Sequence, residues 1–172
     1  TKIKTMKLVQ RMKKKMKQNK IKKHTVVGKM MGKDLVGKKY TPLYQYFASW
    51  GDAPRNCFRV IEGAFVTTDA GTGVVHCAPG FGEEDYKACL AQGLVTPGEL
   101  VMPVDDDGKF KEMVADFQGL YIKDADPQII KDLKEKQRLV SSGTVNHSYP
   151  FCWRSDTPLI YRAVSTWFIR VT

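Results

Sequence analysis

The sequence has few of the residues that build metal and redox sites. Its 172 residues include four cysteines and three histidines, and no two cysteines have the C-x-x-C spacing of zinc sites and dithiol redox motifs. We therefore interpret the cysteines as reduced and mostly buried thiols. A zinc site built from His76, Cys77 and distant cysteines is the less favoured alternative, and we expect no bound metal.

Long apolar runs are missing as well. No stretch approaches the roughly 20 residues that a membrane-spanning helix needs, and the basic start of the sequence lacks the apolar core of a signal peptide. The run from Asp105 to Gly108 is similar to the start of a calcium loop, but Lys109 stands at its fifth position and the closing glutamate is missing. We therefore predict a polar hairpin turn there, in a cytoplasmic protein that does not enter a membrane.

The remaining composition is that of a soluble globular protein, with 42% hydrophobic and 27% charged residues. Basic residues are concentrated at one end: residues 1–40 hold 15 Lys or Arg and a single acid, Asp34, whereas residues 41–172 hold 13 basic and 17 acidic residues. Helical spacing of apolar residues predicts a helix over 7–20, whose lysines either face solvent or contact phosphates. This asymmetry favours a polyanionic partner at the N-terminal face.

The stretch of residues 71–86, GTGVVHCAPGFGEEDY, predicts a strand, a glycine loop and a helix. β-Branched residues between Thr72 and Ala78 favour a buried strand with His76 near its end, and a helix is predicted to start with three acids at Glu83. One imidazole and up to three carboxylates would then surround a small concavity that could hold an ammonium group or a water. The alternative is structural, since acids at a helix start commonly act as caps.

This stretch resembles the editing-domain motif of isoleucyl-tRNA synthetases. A second block, residues 149–162, resembles the segment through which the editing insertion of that family returns to the catalytic domain. The sister enzymes for valine and leucine usually have Pro-Ala-His-Asp where this sequence has Ala-Pro-Gly-Phe-Gly over residues 78–82, so the isoleucine branch, in its eukaryotic cytoplasmic form, fits better. The resemblance implies a domain that hydrolyses valine wrongly esterified to tRNA(Ile).

The resemblance also implies roles for individual residues. Asp85 corresponds to the acid that holds the α-ammonium group of the substrate, and His76 to the pocket histidine that excludes isoleucine, so these two are the candidate catalytic residues. Candidate substrate-binding residues are these two together with Gly71, Thr72, Gly73 and Gly80. No cofactor is expected for editing, since ATP belongs to a synthetic site outside this chain. The implied partners are the acceptor end of tRNA(Ile) and the remainder of the synthetase, and the isolated chain is expected to be a monomer.

The implied fold is mixed α/β, with a barrel-like and mostly antiparallel β core and peripheral helices, as in editing domains of the valyl, isoleucyl and leucyl enzymes. Residues 1–31 are predicted to be a basic N-terminal segment, residues 32–148 the editing core, and residues 149–172 the return segment. Apolar patterns predict several strands, among them Phe58–Thr68, Thr72–Ala78 and Leu100–Val104.

A further helix is predicted to begin with Asp126 as its N-cap and Pro127 at its first helical position. It should end where Ser141, Ser142 and Gly143 stop the apolar pattern. Aromatic side chains upstream either stack on bases or form part of the core, and the core is favoured; they are Tyr44, Tyr46, Phe47 and Trp50.

One departure from the family leaves the function open. The threonine-rich element that forms a wall of the editing pocket has no match in this sequence, and Thr67-Thr68 does not correspond to it. Separately, two alternatives to editing of valine stand: a non-catalytic piece that docks tRNA through its basic end, and the editing domain of a valyl enzyme.

Overall fold

The structure, a computed structural model, describes residues 25, 27–52, 55–67, 73–144 and 147–171. The chain divides into two compact units. The first unit contains the described residues of 1–76 and 123–145, and the second contains those of 77–122 and 146–172. The helix predicted over 7–20 lies outside the described residues.

Helix α1 (Glu83–Ala91) belongs to the second unit and begins where the sequence predicts. Gly82 is its N-cap in an extended conformation, and the Tyr86 N–H donates the first helical hydrogen bond to the Gly82 carbonyl at 2.9 Å. Three acids in the first turn complement the positive end of the helix dipole. The helix buries Cys89 and leaves Leu90 exposed, so it presents only a narrow apolar face to the core.

The core of the second unit gathers around a tight hairpin. Val104 pairs with Phe110 in an antiparallel bridge, and Asp105 Oδ1 accepts hydrogen bonds from the backbone N–H groups of Asp107 and Lys109 at 3.0 and 2.8 Å. The predicted polar hairpin turn is therefore confirmed. Five apolar side chains are buried in this unit and form its core: Cys89, Leu94, Val104, Val114 and Phe117.

A second hairpin lies in the block of residues 149–162. Phe151 pairs with Pro158, and the Leu159 N–H donates to the Pro150 carbonyl at 3.0 Å. The Tyr149 hydroxyl donates to the Leu159 carbonyl at 2.7 Å, which fastens the open end of the hairpin. The segment that follows is exposed: the exposed fraction of Trp167 is 99%.

Helix α2 (Ile122–Glu135) begins five residues before Pro127, the predicted first helical residue, and ends well before the predicted stop. Pro127 lies inside the helix rather than at its first position. The end is set by the hydrogen bonds of a Schellman motif, with Gln137 at φ +54° and the Arg138 N–H donating to the Leu133 carbonyl at 2.8 Å. Because glutamine rather than glycine holds this left-handed position, the sequence pattern did not reveal the stop.

Aromatic side chains of the first unit stack on one another. The rings of Tyr44 and Tyr46 are parallel within 3° at 5.4 Å, and a cation lies over each end of the row: Lys136 Nζ is 4.7 Å from the Tyr44 ring centre, and the Arg55 guanidinium is 4.7 Å from that of Trp50. Such contacts stabilise packed aromatics. The row thus joins the segment that carries Tyr44 to the end of α2. Its aromatic side chains are half-buried rather than fully buried, so the core interpretation stays a prediction.

The predicted barrel-like, mostly antiparallel β core is wrong. The described residues contain two α-helices and three short 3₁₀ turns, and their antiparallel pairing is limited to isolated bridges. A strand requires a ladder of hydrogen bonds to a neighbouring strand, and apolar alternation in the sequence does not supply that partner.

Each of the three predicted strands named above differs from a buried, paired strand in a way that the structure shows. In the stretch from Phe58, a positive φ of 54° at that residue and a turn closed by the Val66 N–H on the Gly63 carbonyl, at 3.1 Å, interrupt the extended backbone. In the stretch from Leu100, Pro103 has no N–H to donate. In the stretch that precedes the glycine loop, Val74 is 63% exposed, which contradicts the predicted burial.

Candidate functional site

Asp85 organises the glycine loop that precedes α1. Its carboxylate oxygen Oδ2 accepts a hydrogen bond from the Ala78 N–H at 3.0 Å, so the first turn of the helix is tied back to the residue where the loop begins. The Phe81 N–H donates to the Ala78 carbonyl at 2.8 Å, which closes a turn over Pro79 and Gly80. Asp85 is half-buried, so its carboxylate is fixed by the loop and still reaches solvent.

Two glycines make this arrangement fit sterically. A Cβ on Gly82 would lie 3.0 Å from Asp85 Oδ2, and a Cβ on Gly80 would lie 3.1 Å from Cε of Met102. Gly80 is buried, and its carbonyl accepts a hydrogen bond from the Ala163 N–H at 2.8 Å. Two hydrogen bonds therefore hold the loop: one between the Ala78 N–H and Asp85, and one between the Gly80 carbonyl and Ala163, in the segment that follows the second hairpin.

Cys77 is chemically coupled to Asp85. Burial raises the pKa of the Cys77 thiol, and the negative charge of Asp85 together with a hydrogen bond to its side chain raises that pKa further. A thiol that donates to a carboxylate resists ionisation because its thiolate would face a like charge. Sequence reasoning missed this contact, and the position of Cys77 one residue before the loop was the only signal for it.

The other two acids of the first turn have a different environment. Glu83 and Glu84 are both exposed and pair with Lys87, at 2.6 and 3.7 Å between charged atoms. The hydrogen bond and charge of Lys87 lower the pKa of Glu83. These acids stabilise the helix start, and Asp85 alone of the three is turned into the loop by a bond to it.

The other predicted site residues lie before the glycine loop in the sequence or are outside the described residues. His76 is exposed and Gly73 has a φ of +78°, and both belong to the first unit, whereas Gly80 and Asp85 belong to the second. Gly71 and Thr72 lie outside the described residues. The structure thus places Gly80 in the glycine loop and Asp85 in the helix turn that is bonded to this loop, and the roles predicted for all six residues stay predictions.

The described residues contain neither a cluster of metal-ligating side chains nor a helix that could span a membrane. No three His, Cys, Asp or Glu side chains there lie close enough together to hold a metal ion. None of the helices described has the length and apolarity needed to cross a bilayer.

Comparison with known proteins identifies the class of proteins to which the chain is related. No protein-family model matches the chain. Individual relatives do match: it is 56% identical over 86% of its length to the cytoplasmic isoleucine–tRNA ligase of Arabidopsis thaliana, 52% identical over 87% to an isoleucine–tRNA ligase of Tetrahymena thermophila, and 51% identical over 90% to the cytoplasmic enzyme of Saccharomyces cerevisiae. The chain spans only 12% to 14% of the length of these relatives.

These relatives make the chain a homologue of aminoacyl-tRNA synthetases, a class of ligases. More specifically, it belongs to the isoleucine–tRNA ligase family, as a segment of it. The resemblance predicted from the two sequence blocks is confirmed at this level. The names of the Arabidopsis and yeast relatives also agree with the predicted cytoplasmic location.

Proposed function

We propose that this chain performs the editing step of an isoleucine–tRNA ligase, in which the ester of valyl-tRNA(Ile) is hydrolysed. Asp85 would bind the α-ammonium group of the misattached valine. The family relationship supports the enzyme context. The observation that carries the proposal is the half-buried carboxylate of Asp85, tied at 3.0 Å to the Ala78 N–H within the motif that led to the resemblance.

A carboxylate in this setting suits an ammonium ligand. It offers about four acceptor positions, so the bond from the Ala78 N–H leaves room for another donor. Charge-assisted hydrogen bonds are roughly twice as strong as neutral ones. Partial burial strengthens the attraction further because it lowers the effective dielectric constant around the pair.

The reaction requires a water and no resident cofactor. The water oxygen attacks the carbonyl carbon of the ester, the bond between that carbon and the ribose oxygen breaks, and a proton from the water passes to the ribose oxygen. The products are valine and tRNA with a restored terminal hydroxyl. We propose that backbone groups of Gly71, Thr72 and Gly73, together with a ribose hydroxyl, position the water, and that ATP is used only in parts of the ligase outside this chain.

The size of the amino-acid side chain would determine which ester the editing pocket accepts. A hydrophobic synthetic site cannot strongly reject a substrate that is smaller by one methylene, a limit for which isoleucyl-tRNA synthetases are the standard example. An editing pocket that admits valine and excludes isoleucine compensates for that limit. We assign the steric role to the His76 ring, which need not act as a base.

The partners follow from the same proposal. They are the acceptor end of tRNA(Ile) and the remainder of the ligase. Residues 1–31 would then contribute basic charge beside the tRNA, residues 32–148 the editing core and residues 149–172 the return to the catalytic domain. Phosphate contacts of this kind add affinity without reading sequence.

The test is deacylation of Val-tRNA(Ile) and of Ile-tRNA(Ile) by this chain. Asp85→Asn removes the negative charge and keeps an oxygen that can accept from Ala78, so the loop should survive. We expect selective hydrolysis of the valyl ester and a loss of about tenfold to a hundredfold in kcat/KM for Asp85→Asn, since a hydrogen bond to a charged group contributes about 1.5 to 3 kcal/mol. Glu84→Gln removes the same charge one residue away and should retain the wild-type rate.

Three outcomes would contradict the proposal. Equal rates for Asp85→Asn and wild type would remove Asp85 from the site. No hydrolysis of either ester, with tRNA binding that depends on Lys13, Lys14 and Lys15, would favour the docking alternative. Hydrolysis of a threonyl ester in place of the valyl ester would favour the editing domain of a valyl enzyme.

A further inference from the structure

Two side chains at the end of the second hairpin contact the polar hairpin turn. The methyl group Cδ1 of Ile160 lies against Gly108, where a Cβ would meet it at 2.7 Å. Two residues further along, Nη2 of Arg162 forms an ion pair with Oδ1 of Asp106. These two contacts step by two residues in opposite directions along the two segments. They therefore define a single antiparallel register between the segment and the turn.

Arg162 is the less exposed partner of the ion pair. The exposed fraction of its side chain is 20%, whereas that of Asp106 is 91%. An arginine can pack its apolar stem against the protein while its guanidinium reaches a partner near solvent. A shift of the segment by two residues would place Val164 opposite Asp106, and a valine side chain has no hydrogen to donate. The ion pair therefore favours the observed register over a shifted one.

The next residue connects this register to the glycine loop. The Ala163 N–H donates to the carbonyl of the buried Gly80 at 2.8 Å. Gly80 lies in the turn that starts at Ala78, whose own N–H donates to Asp85 Oδ2 at 3.0 Å. We use the word latch for two of these contacts together, the Arg162 ion pair and the bond from Ala163 to Gly80. The latch is thus one turn of the chain away from the carboxylate of the candidate site.

We propose that Arg162 is a positioning residue for the editing site, whose ion pair with Asp106 holds the glycine loop in the conformation that presents Asp85. This inference rests on the proposed function and adds a residue to it. Arg162 acts through the backbone bond of its neighbour and not by touching the substrate. A loop that is already held in place loses less conformational entropy when a ligand binds, so the latch should strengthen binding of the ammonium group.

A purely stabilising role for the ion pair is the competing explanation. A pair of that kind would change how much of the chain is folded, and with it the apparent kcat. A positioning residue changes the affinity for the ester, and an ammonium contact made in both ground and transition states affects KM. The two explanations therefore differ in the kinetic constant that responds when the pair is removed.

Limited digestion with trypsin tests the latch without any hydrolysis of tRNA esters. A protease cleaves a bonded, half-buried segment only after it opens locally. Asp106→Ala should therefore speed cleavage of the Arg162–Ala163 bond by about twofold to fivefold, the range expected for one ion pair near the surface. Asp106→Glu keeps a carboxylate and should stay close to wild type. Cleavage after the exposed Arg170 is the internal control, and Asp107→Ala removes the same charge one residue away.

The positioning role is tested by hydrolysis of Val-tRNA(Ile). Asp106→Ala and Arg162→Met should each raise KM by about twofold to fivefold and leave kcat close to that of wild type. The double variant should be no more impaired than either single variant, because both residues act through one ion pair. Asp106→Glu and Asp107→Ala should retain the wild-type KM. Because KM does not depend on the concentration of folded enzyme, a loss of stability alone would not change it.

The outcomes separate this inference from the proposed function. Equal cleavage of the Arg162–Ala163 bond in Asp106→Ala and wild type would overturn the latch, whatever the chain hydrolyses, and so would faster cleavage that Asp107→Ala shares. Faster cleavage in Asp106→Ala with an unchanged KM would overturn the positioning role while leaving Asp85 as the ammonium ligand. Faster cleavage in a chain that hydrolyses neither ester would show that the ion pair holds the segment and would refute both the editing proposal and the positioning role.

Discussion

Replacing Gly108 by alanine should destabilise the second unit through two separable effects. Gly108 has a φ of +76°, a conformation that costs a residue with a Cβ about 1 to 2 kcal/mol. The new Cβ would also lie 2.8 Å from Cε2 of Tyr121 and 2.7 Å from Cδ1 of Ile160. The isoleucine methyl can move aside, but the Tyr121 ring sits next to a backbone bridge with Lys109, so overpacking adds about 1 to 3 kcal/mol.

Gly119→Ala is a matched control for the conformational effect. Its φ is +77°, and a Cβ there meets nothing within 4 Å, so only the backbone cost of about 1 to 2 kcal/mol applies. Urea unfolding of both variants and wild type measures the free energies of unfolding. We expect Gly108→Ala to lose more than Gly119→Ala, by about 1 to 3 kcal/mol. Equal losses would mean that the hairpin is not packed as described and would refute the steric part of the reasoning.

Two further predictions concern side-chain hydrogen bonds. Hydrogen bonds from the side chain and backbone of Ser155 lower the pKa of the Cys152 thiol. Iodoacetamide near neutral pH should therefore label Cys152 before the other cysteines, and Ser155→Ala should slow the labelling of Cys152. An unchanged rate in this variant would contradict the hydrogen bond from the Ser155 side chain. A hydrogen bond from Lys136 lowers the pKa of Asp132, so its stabilising effect is present at neutral pH and lost as pH falls below about 4 through the folded-state pKa. Lys136→Met should therefore raise the titration midpoint of Asp132 measured by NMR and make the free energy of unfolding less sensitive to acid. An unchanged midpoint would show that Lys136 and Asp132 do not form an ion pair.

Local signals in the sequence predicted local structure well. The start of α1 at Glu83 follows from three acids, a preceding glycine and apolar spacing, all within one turn of the helix start. The polar hairpin turn that begins at Asp105 was likewise predicted from the residues of the turn itself. In both cases the residues that determine the conformation are the ones that adopt it.

Structure that depends on distant or atypical partners was not predicted. The stretch around Val74 has the composition of a buried strand, but pairing depends on a neighbour that composition does not specify. The end of α2 depends on Gln137 in a conformation that usually belongs to glycine. At the candidate site, the identity of Asp85 followed from the motif, whereas its bond to Ala78 required the path of the loop.

The hydrogen bond from the Ala163 N–H to the Gly80 carbonyl joins the block of residues 71–86 to the residue that directly follows the block of residues 149–162. A shortened chain ending before residue 160 would still contain every residue of the first block, yet it would lack the donor that holds the buried glycine. A shortened chain that is meant to keep this loop intact should therefore extend through Ala163. Amide hydrogen exchange at Ala163 would then report on the rigidity of a loop more than seventy residues earlier in the chain.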